Sequence, residues 1–569
     1  MNVKAIVFFL VLIAVTFSLP AQRTTPQTDI ELPSDTTNVE PPAETKPEPD
    51  DPELELPDVL ILGQDRYHRT VRDKKTVSPE SPSLIRNQAA YEPMSIWFSR
   101  DEKKPTAQAA DSLTVRQAWA KLKGGSFYTV LGDAGYWQKL TKGDALGHIW
   151  FDRSEGQFEN TKYAEGGVSA KVSYELAPQV TGIARAAFDK YSRGLHTTAY
   201  QSNSTRFANH GFFAADMHYD INHISDGNLG FEVGGLALKS DSSDTELDHS
   251  DQVYYNVHFK YTAQYKKTQL SAHGDYVRET LDVESDSTNH KSALGTIGVE
   301  ALQPISDVFS AAVGVDYHHF TLDTLDAQSR VSPYARLNLI PSAKVGLTLL
   351  ASTGLAYTTF DEYWQDNFYL THRLPMKPSE ETLGLHLKMD IELSEHVKFT
   401  AGYKRQWMET MYYWQADSAT ALIGLNPISD VRLAEIQIGA VVSLNENTQL
   451  QINYVDYSDH VSEDENLTTE MNQLPYRADF RLPIRASIQL LPNMNLTLTA
   501  DVVGERQKRL YSKDRLPAFG LFHADVSYNF NETISGLLSV NNLLDARYSI
   551  WEGYPETGIQ VLAGVRAKF

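Results

Sequence analysis

Apolar and polar residues alternate with period two along most of this chain, from about residue 114 to its end. Leu383, Leu385, Leu387, Met389, Ile391 and Leu393 interleave with Gly384, His386, Lys388, Asp390 and Glu392. Met494, Leu496, Leu498, Ala500 and Val502 interleave in the same way with Asn495, Thr497, Thr499 and Asp501. A third run sets Val168, Ala170, Val172, Tyr174 and Leu176 against Ser169, Lys171, Ser173 and Glu175. Each run predicts a strand with one apolar and one polar face. A soluble sandwich shows this alternation locally, but it rarely sustains it over about 450 residues without Gly- and Pro-rich breaks between compact units.

Connection lengths add a second regularity. Short breaks at 177–178, 304–306, 341–343, 394–395, 445–447, 492–493 and 531–532 alternate with long polar stretches at 192–206, 357–380, 458–474 and 506–517. Short turns at one rim and long loops at the other are the asymmetry of a membrane barrel. Counting hairpins from a first turn at 141–144, with a strand at 114–123 before Gly124-Gly125 and a last strand at 557–569, predicts about 22 strands. That number is even, as closure with both termini on one side demands. The fold class is therefore all-β, a transmembrane antiparallel barrel at 114–569.

Composition agrees with an apolar outside and a wet inside. Mean hydropathy is only -0.37, yet 11% of residues are aromatic, with 29 Tyr, 23 Phe and 8 Trp, as aromatic girdles at two interfaces require. The N-terminus places Lys4 before an apolar run from Ala5 to Val15, then Leu19-Pro20-Ala21. This pattern predicts an export signal over 1–21. Nothing later in the chain approaches the ~20 consecutive apolar residues of a spanning helix. An exported chain that stays in a membrane without such a helix must close a barrel, because hydrocarbon offers no partner to an open sheet edge.

Cysteine is absent, which excludes a disulfide framework, a thiolate metal site and a lipoprotein anchor. The net charge of -22 argues against nucleic acid as a partner. Much of that charge is local. Residues 22–57 are acidic and Pro-rich, cannot bury enough apolar surface to offset ordering, and predict a largely disordered periplasmic tail. Residues 58–113 follow as a linker or a reduced plug-like segment.

The end of the chain carries a recognisable pattern. Leu516-Pro517-Ala518-Phe519, the strand from Leu521 to Phe530, Val540-Asn541-Asn542-Leu543-Leu544-Asp545-Ala546-Arg547-Tyr548, Gly553-Tyr554-Pro555 and the terminal Phe569 resemble the C-terminal end of TonB-dependent receptor barrels. Upstream, Leu374-Pro375-Met376-Lys377-Pro378 followed by Ser379-Glu380-Glu381-Thr382-Leu383-Gly384 is similar to that family's mid-barrel segment. The resemblance covers the barrel and implies a bacterial outer-membrane location and about 22 strands. It also implies that Phe569 is the signal read by the barrel assembly machinery. The family's plug is longer than the 92 residues of 22–113. Within that stretch Leu56, Val59, Leu60, Ile61 and Leu62 form an apolar island resembling the family's TonB-contacting box, an extended segment offering a strand to a partner. A linker that packs on the barrel is the alternative.

Candidate chemistry is of binding rather than catalysis. No nucleophile and base stand at a usable spacing, so neither catalytic residues nor a cofactor are assigned. His318 and His319 fall on opposite faces, and His210 and His218 share a face about eight residues apart, too far to ligate together. Asp241, Asp244, Glu246, Asp248 and Asp251 lack the spacing of a calcium loop. Two outer features remain. Tyr363, Trp364, Phe368 and Tyr369 populate one outer segment, with Tyr412, Tyr413 and Trp414 at a neighbouring strand end. They offer stacking surfaces for a ligand, or belong to the interfacial girdle. Arg506, Lys508, Arg509, Lys513 and Arg515 concentrate positive charge at the level of lipopolysaccharide phosphates, or form a merely charged loop.

Two readings of function follow. One is a receptor-like barrel taking part in substrate uptake, driven by TonB. The other is a plugless barrel serving as a membrane scaffold or export pore, its lumen filled by its own tail or by a separate plug or lipoprotein partner. In both, outer-membrane lipids and lipopolysaccharide surround the barrel.

Overall fold

The computed structural model describes residues 116–569, apart from 159, 196–203, 223–224, 242–245, 284–287, 324, 372–376, 417–421, 446 and 462–470. The export signal, the acidic tail, the linker and the island at Leu56 to Leu62 lie outside the described residues.

Twenty-two strands form one antiparallel sheet in which each pairs with its neighbours in sequence. The sheet closes where the first strand, Arg116–Gly125, pairs with the last, Gln560–Lys568, in the register Lys121 to Arg566 and Leu122 to Val565. Closure leaves no edge to satisfy. The first strand runs on through Gly124 and Gly125, where a break was expected. A Cβ on Gly125 would stand 1.9 Å from the Val561 carbonyl oxygen, so only glycine lets these backbones pass so closely.

At the rim that carries both termini, the connections are two to four residues long. At the other rim they lengthen, above all over 357–378, 461–479, 504–518 and 542–559. Two of the long loops contain two-stranded pairs of their own, Arg506–Gln507 with Arg515–Leu516 and Ser549–Trp551 with Tyr554–Pro555. By this asymmetry the long-loop rim is the outer one.

The apolar parity of the strands faces outward. Val168, Val172 and Leu176 are exposed on one strand, Leu383, Leu387 and Leu393 on another, and Val561, Val565 and Phe569 at the end of the chain. Side chains of such size exposed in a continuous belt are accounted for by lipid. The protein is thus a membrane-spanning barrel of outer-membrane type.

Polar residues line the lumen in pairs. Arg481 holds Asp501 at 2.8 Å and Arg185 holds Asp216 at 2.9 Å. Asp216 also meets His258 at 3.1 Å across an intervening strand. They touch because that strand presents Gly230 there, where a Cβ would lie 2.3 Å from the carboxylate oxygen.

Candidate functional site

The outer segment after the strand Val345–Ala356 does not stand out into solvent. It folds into the lumen as a seven-residue helix, Phe360–Asp366. Local chemistry starts and stops it. Glu362 accepts from the Thr359 backbone N–H at 3.0 Å, closing a capping box, and the Asn367 N–H turns back onto the carbonyls of Tyr363 and Trp364. Phe360, Tyr363 and Trp364 stand at i, i+3 and i+4, so one helical face carries all three. That face buries into a core shared with Leu236 and Leu238, Leu281, Leu294 and Phe320 on the lumen wall.

A polar latch holds the insertion. The Glu279 carboxylate, from the strand Thr268–Val283, accepts the Phe360 backbone N–H at 2.8 Å, the Gln252 amide at 2.7 Å and the Tyr357 hydroxyl. Gln252 Nε2 also donates to Asp361 at 3.2 Å, so one amide joins wall and helix. Both carboxylates are almost wholly buried. At the far end of the segment Arg206, completely buried, donates to the Leu370 carbonyl. The chain then pairs briefly with Ile423, whose N–H donates to Tyr369 O and whose carbonyl accepts from Thr371.

Two further loops, 461–479 and 542–559, and neighbouring strands complete the closure through aromatic contacts. Trp364 packs edge-on against Tyr191 at 5.0 Å and lies 6.0 Å from the His210 ring. Tyr369 stacks on Tyr554 of the loop 542–559 at 3.7 Å. Trp414 meets Tyr363 on one side and Trp551 on the other, and Trp551 packs on Tyr476. The result is one apolar core spanning the outer mouth from the strand Val180–Gly194 to the strand Ile423–Asn445. Burial holds the Tyr369 phenol up at about 12 against the pull of the Arg193 guanidinium, so it stays a neutral hydroxyl.

The structure gathers most of the aromatic residues singled out in the sequence. Tyr363, Trp364, Tyr412 and Trp414 are buried in this core, and Phe368 and Tyr369 pack on its edge. Tyr413 belongs to a neighbouring cluster with Met408 and Val431. They pack on one another and do not line an open vestibule.

The basic segment divides. Arg506 turns inward, donating to the Ile550, Ser549 and Pro517 carbonyls, with its guanidinium 4.9 Å from the Phe519 ring centre. Burial lowers it to about 10, still cationic at neutral pH. The reason is local: this hairpin and the loop 542–559 present backbone carbonyls that need a donor where water is excluded. Lys508 pairs with Glu552 at 3.1 Å, and Arg515 with Asp479 at 3.1 Å. Arg509 and Lys513 are the members that reach outward.

His318 is buried on the lumen side while His319 is exposed outside. Among the described residues no three metal-ligating groups converge. The side chains of Asp241, Asp244, Glu246 and Asp248 lie outside the described residues. Sequence reasoning missed Glu279, Gln252, Arg206 and Asp361. The available signal was the capping box at Thr359 and Glu362 ahead of three aromatics at helical spacing.

A 22-strand barrel with an apolar belt, a charged lumen and a mouth filled by its own loops defines an outer-membrane β-barrel. Solved structures share this fold at very low sequence identity. The siderophore receptor PiuA from Acinetobacter baumannii is 10% identical over 80% of this chain and 82% of its own, with a TM-score of 0.63. The FrpB iron transporter from Neisseria meningitidis is 12% identical over 80% of this chain and 82% of its own, with a TM-score of 0.65. The copper transporter OprC is 10% identical over 80% of both chains, with a TM-score of 0.63. No family model matches the sequence, and no curated protein does.

Proposed function

We propose that this chain is a receptor-like protein taking part in substrate uptake across the outer membrane, with the inserted segment 357–371 as the element that keeps its mouth shut. The observation that supports this reading is the latch on Glu279. The segment is held by hydrogen bonds and side-chain packing at the end of long loops, a form of attachment that a substrate arriving from outside can displace without breaking the barrel. The shared fold with siderophore, iron and copper transporters supports uptake over export.

Energy for release belongs to TonB engaging the segment Leu56 to Leu62. Val59→Pro removes a backbone donor needed for strand pairing. It should abolish uptake, and TonB co-purification with the full chain, while barrel assembly is unchanged. Retained TonB binding would overturn the box. A stoichiometric lipoprotein or plug-like partner in the same pull-down, without TonB, would favour the scaffold or export reading. Around the barrel, Arg509 and Lys513 are the residues we assign to lipopolysaccharide phosphates, and Phe569 to the assembly machinery.

A further inference from the structure

Among the described residues the outward belt carries a depression remote from the mouth. Val172, Ala184, Ala215, Phe231 and Val257 stand side by side in one row across five strands. The row next to it, nearer the turns, reads Tyr174, Gly182, Met217 and Leu229. Large residues flank small ones in both rows, so Gly182, Ala184 and Ala215 form the floor of a groove of about 570 Å³. Its walls are Val172, Tyr174 and Leu176 on one side and Met217, Leu229 and Phe231 on the other.

The groove lies in the half of the wall nearer the short turns. Leu176 is one residue from the end of the strand Tyr163–Ala177, and Gly182 is two from the start of Val180–Gly194. Short turns mark the periplasmic rim. Tyr219, Tyr261 and Tyr265 stand between the groove and that rim, the level at which tyrosines meet a membrane surface.

We propose that this groove seats an acyl chain of a phospholipid from the periplasmic leaflet. It is continuous with a belt already covered by lipid, and its lining is almost wholly apolar. Inside hydrocarbon no hydrophobic drive distinguishes one apolar surface from another, so selection rests on packing. A chain lying in the groove gains dispersion contacts on three sides, where the rest of the belt offers one. Lipid A is confined to the opposite leaflet and does not reach this depth.

The test is native mass spectrometry of the full chain in a mild detergent, incubated with dipalmitoyl phosphatidylethanolamine or with lipid A. Ala184→Leu with Ala215→Leu fills the floor, and both side chains face hydrocarbon, where added apolar bulk leaves the fold intact. Phosphatidylethanolamine adducts should fall about tenfold, as expected when roughly ten carbon–carbon contacts are lost. Val172→Ala with Phe231→Ala, which lowers the walls, should reduce them likewise. Ala335→Leu, outward but away from the groove, should leave them unchanged. Equal phospholipid adducts in wild type and both double variants would overturn the proposal. So would a wild-type dimer that the floor variant splits, because a second copy would then cover the groove. Lipid A retained through the same residues would overturn it as well.

Discussion

At the scale of single residues, Glu279 shows how an outer-mouth latch is built from one carboxylate. Its oxygens satisfy three donors at once, two from the inserted segment and one from the wall. Glu279→Ala leaves the Phe360 N–H buried without an acceptor and takes one acceptor each from the Tyr357 hydroxyl and the Gln252 amide, which keep Ser292 and Asp361, and this should weaken loop docking by about 2–4 kcal/mol. The natural chain has no cysteine, so a single introduced thiol reports on opening without background. Ala208 lies fully buried under the cap, and Ala208→Cys should resist a membrane-impermeant maleimide in intact cells. In the Glu279→Ala background it should be labelled, while the heat-dependent gel shift of the folded barrel stays the same. A thiol equally protected in both backgrounds would show that Glu279 does not hold the loop.

At the scale of elements, the inserted segment and the strands beside it are separable. The strands Val345–Ala356 and Ser379–Ser394 pair at eleven positions, Leu349 to Leu387 among them, independent of the loop that joins them. Replacing 358–371 with a Gly/Ser linker of equal length should therefore expose the Ala208→Cys thiol fully and leave the barrel assembled. Trp364→Ala is the milder change. It removes the ring that fills the space between Tyr191, His210 and Phe368 and should cost about 3–5 kcal/mol of docking. Partial labelling of the same thiol is the expected result. If the linker variant failed to insert in the membrane, the loop would instead be part of what makes the barrel fold.

At the scale of the whole molecule, closure and facing were largely legible in the sequence, and the mouth was not. The odd residues Val561, Val565 and Phe569 face lipid and Arg566 faces the lumen, as their alternation required. Val565→Arg should cost up to ~2–4 kcal/mol, less if it lies nearer the interface. Arg566→Val should be tolerated, since it removes a cation directly opposite Lys121. Comparable loss of folded barrel in the two variants would refute the facing. Period-two alternation sets strand identity and facing because each strand must present one side to hydrocarbon and one to water, whatever its neighbours are. Connection lengths set the topology because each short turn can only join adjacent antiparallel strands. What Trp364, Tyr412 and Trp414 do was open in the sequence, since an aromatic at a strand end satisfies an interface or a core equally well. Arg506 was open for the same reason: a charge in a loop faces outward unless carbonyls from another loop surround it. Only the closed sheet brings strands far apart in sequence around one lumen, and only that enclosure gives the segment 357–371 a wall to pack on.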